Sequence, residues 1–353
     1  MSPAAKKAEK FPSIVGDFGG TNARLAMSNP QGIFNVQEYR CANFASPGDV
    51  VRTYLEDQGH TKAKRAVIAV AGSAIDPTNV MFTQGPWGQK QLNFTDMPAD
   101  DVHTINDFEA VCYSIATMSE ADCTALYKTG TPFFPASILA NKQAKASPTR
   151  ILTSSPEHRF VCVGPGTGLG VGMGMVTDSN QFLVLTSEGG HSAFAPSDEE
   201  EMAVLRYLER ECGKIVTMET FASGTGLATA FNAICKIRKI DCQIKDGSEV
   251  PIKLIDPTSH DVREAANWTL RLFARTLGSC VSAATLMSNA RTVFIGGGVP
   301  KKLGAYFDQL AFTRAFLTND LKGNNTLVST PVMILDHAQP GLAGADFYLK
   351  LTA

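Results

Sequence analysis

Short apolar runs that stop at glycine or a polar turn recur along the chain, at residues 13–17, 66–71, 160–164 and 292–296. Such runs, bounded by turn residues and too short for a helical repeat, predict buried strands. Two further runs, 25–28 and 171–176, come directly after glycine-rich turns and predict the return strands of hairpins. The succession strand, glycine turn, strand therefore occurs twice, near residues 18 and 167.

Helical patterns lie between the strands. Ser197 with Glu200 reads as a capping box after Pro196, with the acidic run 198–201 in the first turn, where the helix dipole favours it. Met202, Leu205 and Leu208 then make an apolar stripe, and Gly213 stops the helix. A longer helix is expected from near Asp261, with Glu264 three residues on, carrying Ala265, Leu272, Leu277 and Val281 toward Asn289. Gly278, Ser279, Ala283 and Ala284 in its middle predict close approach to another backbone. Strands mixed with helices predict α/β architecture. No solenoid repeat is visible. The polar stretches 128–157 and 236–257 read as surface excursions that carry little core.

Composition narrows the class. At roughly 100–200 residues per domain, 353 residues predict two domains or one elaborated one. Apolar residues at 44% and charged residues at 19% describe a globular chain. A net charge of −2 excludes bulk attraction to nucleic acid or an anionic membrane. No apolar run approaches the roughly 20 residues of a membrane helix. The basic start, Met1 to Lys10, lacks an apolar core segment of a secretory signal and reads as a disordered tail. Eight scattered cysteines without a CxxC pair argue against a disulfide framework or zinc ribbon and point to a reducing compartment.

Four clusters carry candidate chemistry. In Gly16-Asp17-Phe18-Gly19-Gly20-Thr21-Asn22-Ala23-Arg24, the glycines let backbone N–H groups approach an anion and Thr21 and Asn22 add side-chain donors. Asp17, at the strand end, suits a hydrated Mg²⁺. The P-loop spacing is absent, and no helix follows where a dinucleotide fingerprint requires one. An ordinary tight turn explains Gly19 and Gly20 but leaves Asp17, Thr21 and Asn22 without a reason. The second cluster, Gly164-Pro165-Gly166-Thr167-Gly168-Leu169-Gly170, could clamp phosphates from another side, and two such loops at strand ends fit a gripped triphosphate. The third, Gly296-Gly297-Gly298, lets a flat ligand such as adenine lie against backbone, a flexible strand-to-helix turn being the plainer account. The fourth is polar: Asn106-Asp107, Glu188-Gly189-Gly190-His191 and Glu219, where a carboxylate beside an amide suits a polyol hydroxyl. Each member also has a structural reading, Asn106-Asp107 as a helix cap, Glu188 as a surface charge and His191 as a turn histidine.

Together with Ile105-Asn106-Asp107-Phe108-Glu109-Ala110 and Ser223-Gly224-Thr225-Gly226-Leu227, these motifs stand in the order of the bacterial-type glucokinases, which the chain resembles from about residue 14 to a closing Asp336-His337-Ala338-Gln339-Pro340-Gly341-Leu342-Ala343-Gly344-Ala345. The two polar excursions make it similar to the glucokinases of trypanosomatid protozoa. The resemblance implies an α/β, two-lobed actin-like ATPase (ribonuclease H-like) fold with its active site in the interdomain cleft. The expected parts are a small domain over 1–117, completed by a C-terminal helix over 338–353, and a large domain over 118–337. The implied activity is transfer of the ATP γ-phosphoryl to the glucose 6-hydroxyl, with Mg²⁺ as cofactor and a homodimeric assembly.

By the same resemblance Asp107 is the general base, and Asn106, Glu188, His191 and Glu219 hold the other hydroxyls. Gly19, Gly20, Thr21 and Asn22 embrace the phosphates with Gly166, Thr167 and Gly168, while Gly297 and Gly298 meet the adenine. Here the last motif reads Gly-Gly-Gly-Val-Pro, where bacterial members often carry isoleucine after two glycines. The zinc-binding cysteine cluster of the related ROK kinases is absent. A kinase for another hexose, or one using polyphosphate, is the nearer rival. A silent sugar sensor is another, although it would be marked by a lost base or phosphate loop. Because the motifs fall in two successive segments, the lobes are expected to close on the sugar. The cytoplasm is expected, with a glycosome as alternative. The terminal Leu351-Thr352-Ala353 matches a Ser-Lys-Leu address poorly.

Overall fold

A computed structural model describes residues 12–83, 85–88, 90–140, 155, 158–213, 215–318 and 325–353. The expected N-terminal tail lies outside these residues, as do 141–154, 156 and 157 of the first polar excursion. The chain divides into two compact units, one of residues up to Met118 together with His337–Ala353, the other Ser119–Asp336.

In the first unit, β1 (Ser13–Phe18), β2 (Asn22–Asn29) and β3 (Gly32–Arg40) form an antiparallel meander, followed by α1 (Pro47–Asp57). Next come β4 (Ala63–Val70), a small sheet of β5 (Gly72–Asp76), β6 (Asn79–Phe82) and β7 (Gln91–Leu92), then β8 (Ala99–Asn106) and α2 (Asp107–Ser114). The main sheet runs β3-β2-β1-β4-β8, with β4 parallel to both β1 and β8. Central β4 reads Ala-Val-Ile-Ala-Val without alternation because both its faces are covered, and all five residues are fully buried. Edge strand β3 shows mostly exposed positions, so its sequence carries little strand signal.

The second unit repeats the plan. Its elements in chain order are β9 (Cys123–Tyr127), α3 (Pro135–Leu139), β10 (Arg159–Pro165), β11 (Leu169–Val176), β12 (Phe182–Ser187), α4 (Glu199–Cys212), α5 (Gly224–Arg238), α6 (Val250–Leu254) and α7 (His260–Ser288). After these come β13 (Thr292–Ile295), α8 (Val299–Leu303), α9 (Gln309–Leu317) and β14 (Val332–Leu335). The sheet order is β12-β11-β10-β13-β14-β9: an antiparallel meander, two parallel strands, and β9 added antiparallel at the edge. Gly278 of α7 lies against α9, where a Cβ would overlap the Phe312 carbonyl, so the run of small residues serves close packing.

Two local expectations change. Asp198, not Ser197, caps α4: it accepts a hydrogen bond from Glu201 N at 2.8 Å, while Ser197 donates N–H and Oγ–H to the Glu201 carboxylate. Arg275 of α7, 2.7 Å from Asp198 and 3.3 Å from Glu201, ties this end of the helix to the core, a tertiary pairing that short-range spacing does not reveal. Ser259 likewise caps α7 by accepting from Val262 N. The stretch 236–257 is also not all surface, since Ile244 and Val250 sit in the large core. Asn232 holds Ile244 there through both backbone groups at 2.9 Å. Isolated apolar residues among polar ones leave no periodic signal.

Helix α10 (Pro340–Leu351) belongs to the first unit and crosses α2 at Gly344, where a Cβ would overlap the Ala110 carbonyl. Gly344→Ala must push the helices apart and should lose about 1–3 kcal/mol of unfolding free energy, read by denaturant titration. Gly48→Ala in α1, where the nearest atom would be 3.6 Å away, is the control and should be neutral or mildly stabilising. Equal losses in both would refute this packing role.

Candidate active site

In the first unit the chain leaves β1 after Asp17 and turns at Gly19, whose N–H donates to the Asn22 carbonyl at 3.0 Å. The Thr21 carbonyl accepts from Cys41 N at 2.9 Å, and Gly85, at φ +90°, lies directly on the Gly20 carbonyl. Thr21 is exposed on this turn. The Asn22 amide gives one of its two N–H groups to Glu38 Oε1 at 3.1 Å. The register places Asp17, Arg24 and Glu38 in one row across β1, β2 and β3. Arg24 bonds Glu38 at 2.6 Å and stands 3.8 Å from Asp17. Gly341, in the first turn of α10, is so close that a Cβ there would lie 2.7 Å from the Asp17 carboxyl carbon. Desolvation raises the Asp17 pKa, and the charge of Arg24 opposes the rise.

Asp107 opens α2. Its predecessor Asn106 caps the helix, accepting from Phe108 N at 2.8 Å and Glu109 N at 3.2 Å, and its amide donates to the Gly72 carbonyl at 2.9 Å. Glu109 closes a capping box on the Asn106 N–H. The helix-cap reading of Asn106 is therefore true, and the cap aims the next residue. Burial, and secondly the Asp17 charge, push the Asp107 carboxyl up to about 6, while the N–H of Phe108 pulls it down.

In the second unit Glu188 follows β12, and a 3-10 turn at Gly189–His191 brings His191 back toward it. His191 Nδ1 lies 3.3 Å from Glu188, and its Nε2 lies 3.5 Å from Glu219 Oε1. Glu188 is 90% exposed, whereas Glu219 is 34% exposed and accepts a bond from Leu169 N through Oε2 at 2.8 Å. Leu169 ends the loop Gly166-Thr167-Gly168, so the carboxylate cluster and this loop are one structure. A Cβ at Gly168 would stand 2.5 Å from Glu219 Oε2, so any larger residue there must displace that carboxylate.

The start of α5 holds the loop from another side. Gly224 N donates to the Gly166 carbonyl at 2.8 Å, Thr225 Oγ donates to the Thr167 carbonyl at 3.0 Å, and Ser223 Oγ donates to the Glu219 carbonyl at 2.8 Å. Gly297, at φ +74°, lies against the Pro165 carbonyl, which gives it a structural reason independent of any ligand. Gly298 is exposed, and a Cβ there would meet Lys302 Cε at 3.7 Å, an ordinary contact. The structure thus gathers Glu188, His191, Glu219, Gly166, Thr167, Gly168 and Gly297 in the second unit, and Asp17, Gly19, Gly20, Thr21, Asn22, Asn106 and Asp107 in the first. Sequence reasoning assigned nothing to Arg24, Glu38, Gly341 or Thr225. Arg24, Gly341 and Thr225 stood in quoted motifs without a role of their own, whereas Glu38 stood in none; Arg24 and Glu38 act through strand register and Gly341 through helix docking.

Two sheets built on one plan, each with a glycine hairpin after the first strand of its meander, define the actin-like ATPase, ribonuclease H-like class. Within it, a model of the Glucokinase family matches residues 14–352, and the chain belongs to that family. The glucokinase of Xylella fastidiosa strain M23 is 30% identical, across 98% of this chain and 97% of the relative. The crystal structure of a glucokinase from an Antarctic psychrotroph aligns with TM-score 0.73 at 25% identity, covering 96% of this chain and 98% of that one. The glucokinase of Balamuthia mandrillaris in complex with glucose aligns with TM-score 0.72 at 20% identity, covering 96% and 93%, and shows the shared fold. Among the described residues no helix is long and apolar enough to cross a membrane.

The raised pKa of Asp107 has a stability consequence. Because the folded value, about 6, exceeds the ordinary 3.8, the stability it contributes is fully present below pH 3.8 and is lost as pH rises through about 6. At about 1.4 kcal/mol per tenfold, the ionised group costs the fold up to roughly 3 kcal/mol. Asp107→Asn should therefore be more stable than the parent at pH 7.5 by about 1–3 kcal/mol, the gain fading toward pH 4. Thermal unfolding across that range checks it, and a pH-independent difference would contradict it.

Proposed function

We propose that this chain is an ATP-dependent glucokinase that moves the γ-phosphoryl of ATP to the 6-hydroxyl of glucose. The observation that carries the reading is Asp107, a carboxylate aimed by a helix cap and held at a pKa of about 6. Such a base is ionised at neutral pH yet basic enough to take a hydroxyl proton as the transition state forms. As O6 attacks the γ-phosphorus, its proton passes to Asp107 and the bond to the bridging oxygen of ADP breaks. Glu188, His191 and Glu219 accept or donate hydrogen bonds to other sugar hydroxyls, and Asn106 contributes chiefly by fixing Asp107. Backbone N–H groups of Gly20 and Gly168, with the hydroxyls of Thr21 and Thr167, face the phosphates, the N–H groups of Gly19 and Gly166 being spent on closing their own turns, and the exposed Gly298 meets the base.

A divalent cation fits the first unit. Asp17 is a desolvated carboxylate near a second one, a pair whose cost a cation lowers. Among the described residues no three metal-ligating side chains cluster. That suits Mg²⁺, which keeps several waters and takes its remaining ligands from phosphate oxygens. When bound through Asp17, it would neutralise charge on the transferring phosphoryl. The reading also takes the chain to work as a homodimeric cytoplasmic enzyme. The scattered cysteines, without a CxxC pair, fit a reducing cytoplasm.

A donor and acceptor panel on purified protein tests the assignment, with glucose and ATP expected to give the highest kcat/KM. Asp107→Asn should lower kcat by about 10²–10⁴ while glucose still binds. In the parent, kcat/KM should fall as pH drops below about 6, where Asp107 takes up its proton. A variant keeping more than about a tenth of parental kcat would exclude Asp107 as the base.

Alanine at Glu188, His191 or Glu219 should raise KM for glucose more than KM for ATP. Loss of a hydrogen bond to a charged group costs about 1.5–3 kcal/mol, or about ten- to a hundredfold in kcat/KM. Steady-state kinetics on the three variants decide this, and unchanged glucose kinetics in all of them would place the sugar elsewhere.

A further inference from the structure

Glu219 divides its carboxylate between two tasks. Oε2 is bonded to Leu169 N at 2.8 Å, at the foot of the Gly166-Thr167-Gly168 loop, while Oε1 points to His191 Nε2 at 3.5 Å. Its backbone is fixed too, since the Glu219 carbonyl accepts from Ser223 Oγ, the cap of the helix whose Gly224 and Thr225 hold the loop. The 3-10 turn of Glu188 to His191 meets the same point, because Gly190 lies directly against the Leu169 carbonyl. Leu169 is thus touched by both arms of the carboxylate cluster, so a shift at the foot of the Gly166-Thr167-Gly168 loop strains the bond to Glu219.

We propose that Glu219 couples the two substrates, so that sugar bound to its carboxylate sets the phosphate loop through the bond to Leu169 N and tightens nucleotide binding. The inference rests on the glucokinase reading above and goes beyond it by assigning the coupling to one hydrogen bond. A carboxylate oxygen carries lone pairs enough to accept from Leu169 N and from a hydroxyl together, so sugar binding need not break the latch. A sugar that orders the carboxylate orders the loop, and linkage makes the effect reciprocal: nucleotide must tighten sugar by the same factor. Gly168 is the place where the two tasks separate. A Cβ there would stand 2.5 Å from Glu219 Oε2 and push the carboxylate off the loop while leaving Glu219 present to meet sugar.

Two measurements on the full chain test this. In the ligand-free protein, amide hydrogen exchange at Leu169 should accelerate about tenfold or more in Glu219→Ala and stay near the parental rate in Glu219→Gln, which keeps an acceptor. Unchanged exchange in Glu219→Ala overturns the latch whatever the ligand. Calorimetry with a non-hydrolysable ATP analogue, with and without saturating glucose, should show tightening by about 5–150-fold in the parent. In Gly168→Ala that factor should fall toward one while glucose affinity changes by less than about threefold. A Gly168→Ala protein with both affinities weakened and the ratio preserved would mean a merely structural glycine and overturn the proposal. Absence of glucose binding by the parent would instead refute the functional reading, and the Leu169 amide would still decide the latch.

Discussion

The cost of holding two carboxylates out of water shapes the first unit. Asp17 lies near the end of β1 and Asp107 directly follows β8, on strands separated only by β4, and the Asp17 charge raises the cost of ionising Asp107. The surroundings lower that cost only in part. Arg24 stands 3.8 Å from Asp17 but is bonded more closely to Glu38, and Asp107 receives one N–H of its own helix. A fuller neutralisation would leave Asp107 with an ordinary acid pKa and a weak pull on a proton. Incomplete neutralisation therefore keeps the Asp107 carboxyl raised to about 6.

Around those carboxylates the chain uses glycine where backbone must pass at contact distance. Gly341 lets α10 start against Asp17, and Gly344 lets the same helix cross α2. In the second unit, Gly168 makes room for Glu219, Gly190 for the Leu169 carbonyl and Gly297 for that of Pro165. Some of these glycines are therefore spacers for protein groups as much as openings for ligand. The distinction matters for the triple glycine: Gly297 is explained by packing, whereas a Cβ at Gly298 would meet only an ordinary contact.

The two units reach comparable loops by one plan, with the loop joining antiparallel strands and a parallel strand on the other side of the first. In one, β2 and β3 supply Arg24, Asn22 and Glu38 beside the loop; in the other, α5 and the turn at Met218–Thr220 supply Thr225 and Glu219. A repeated frame thus carries different side chains in its two copies, in a chain that belongs to the glucokinase family. Fold alone would not say as much, because function resides in the groups a frame presents.

Much of the site was legible in the sequence, because its signals are local. An apolar run ending in Asp17 and two glycines, or in Gly166-Thr167-Gly168, is a strand with its turn wherever the fold places it. Asn106-Asp107 before a helix is a cap by residue type alone. Tertiary structure decided which of these side chains remain available. Asn22 gives one N–H to Glu38 through strand register, Asn106 serves its cap and the Gly72 carbonyl, and Glu219 is tied to Leu169 from 50 residues away. It also decided that Asp198 rather than Ser197 caps α4, through Arg275, and that Ile244 and Val250 are core. The physical reason is the same in each case. Turn and cap preferences act over a few neighbouring residues, whereas hydrogen-bond partners and desolvation depend on groups that only folding brings within reach.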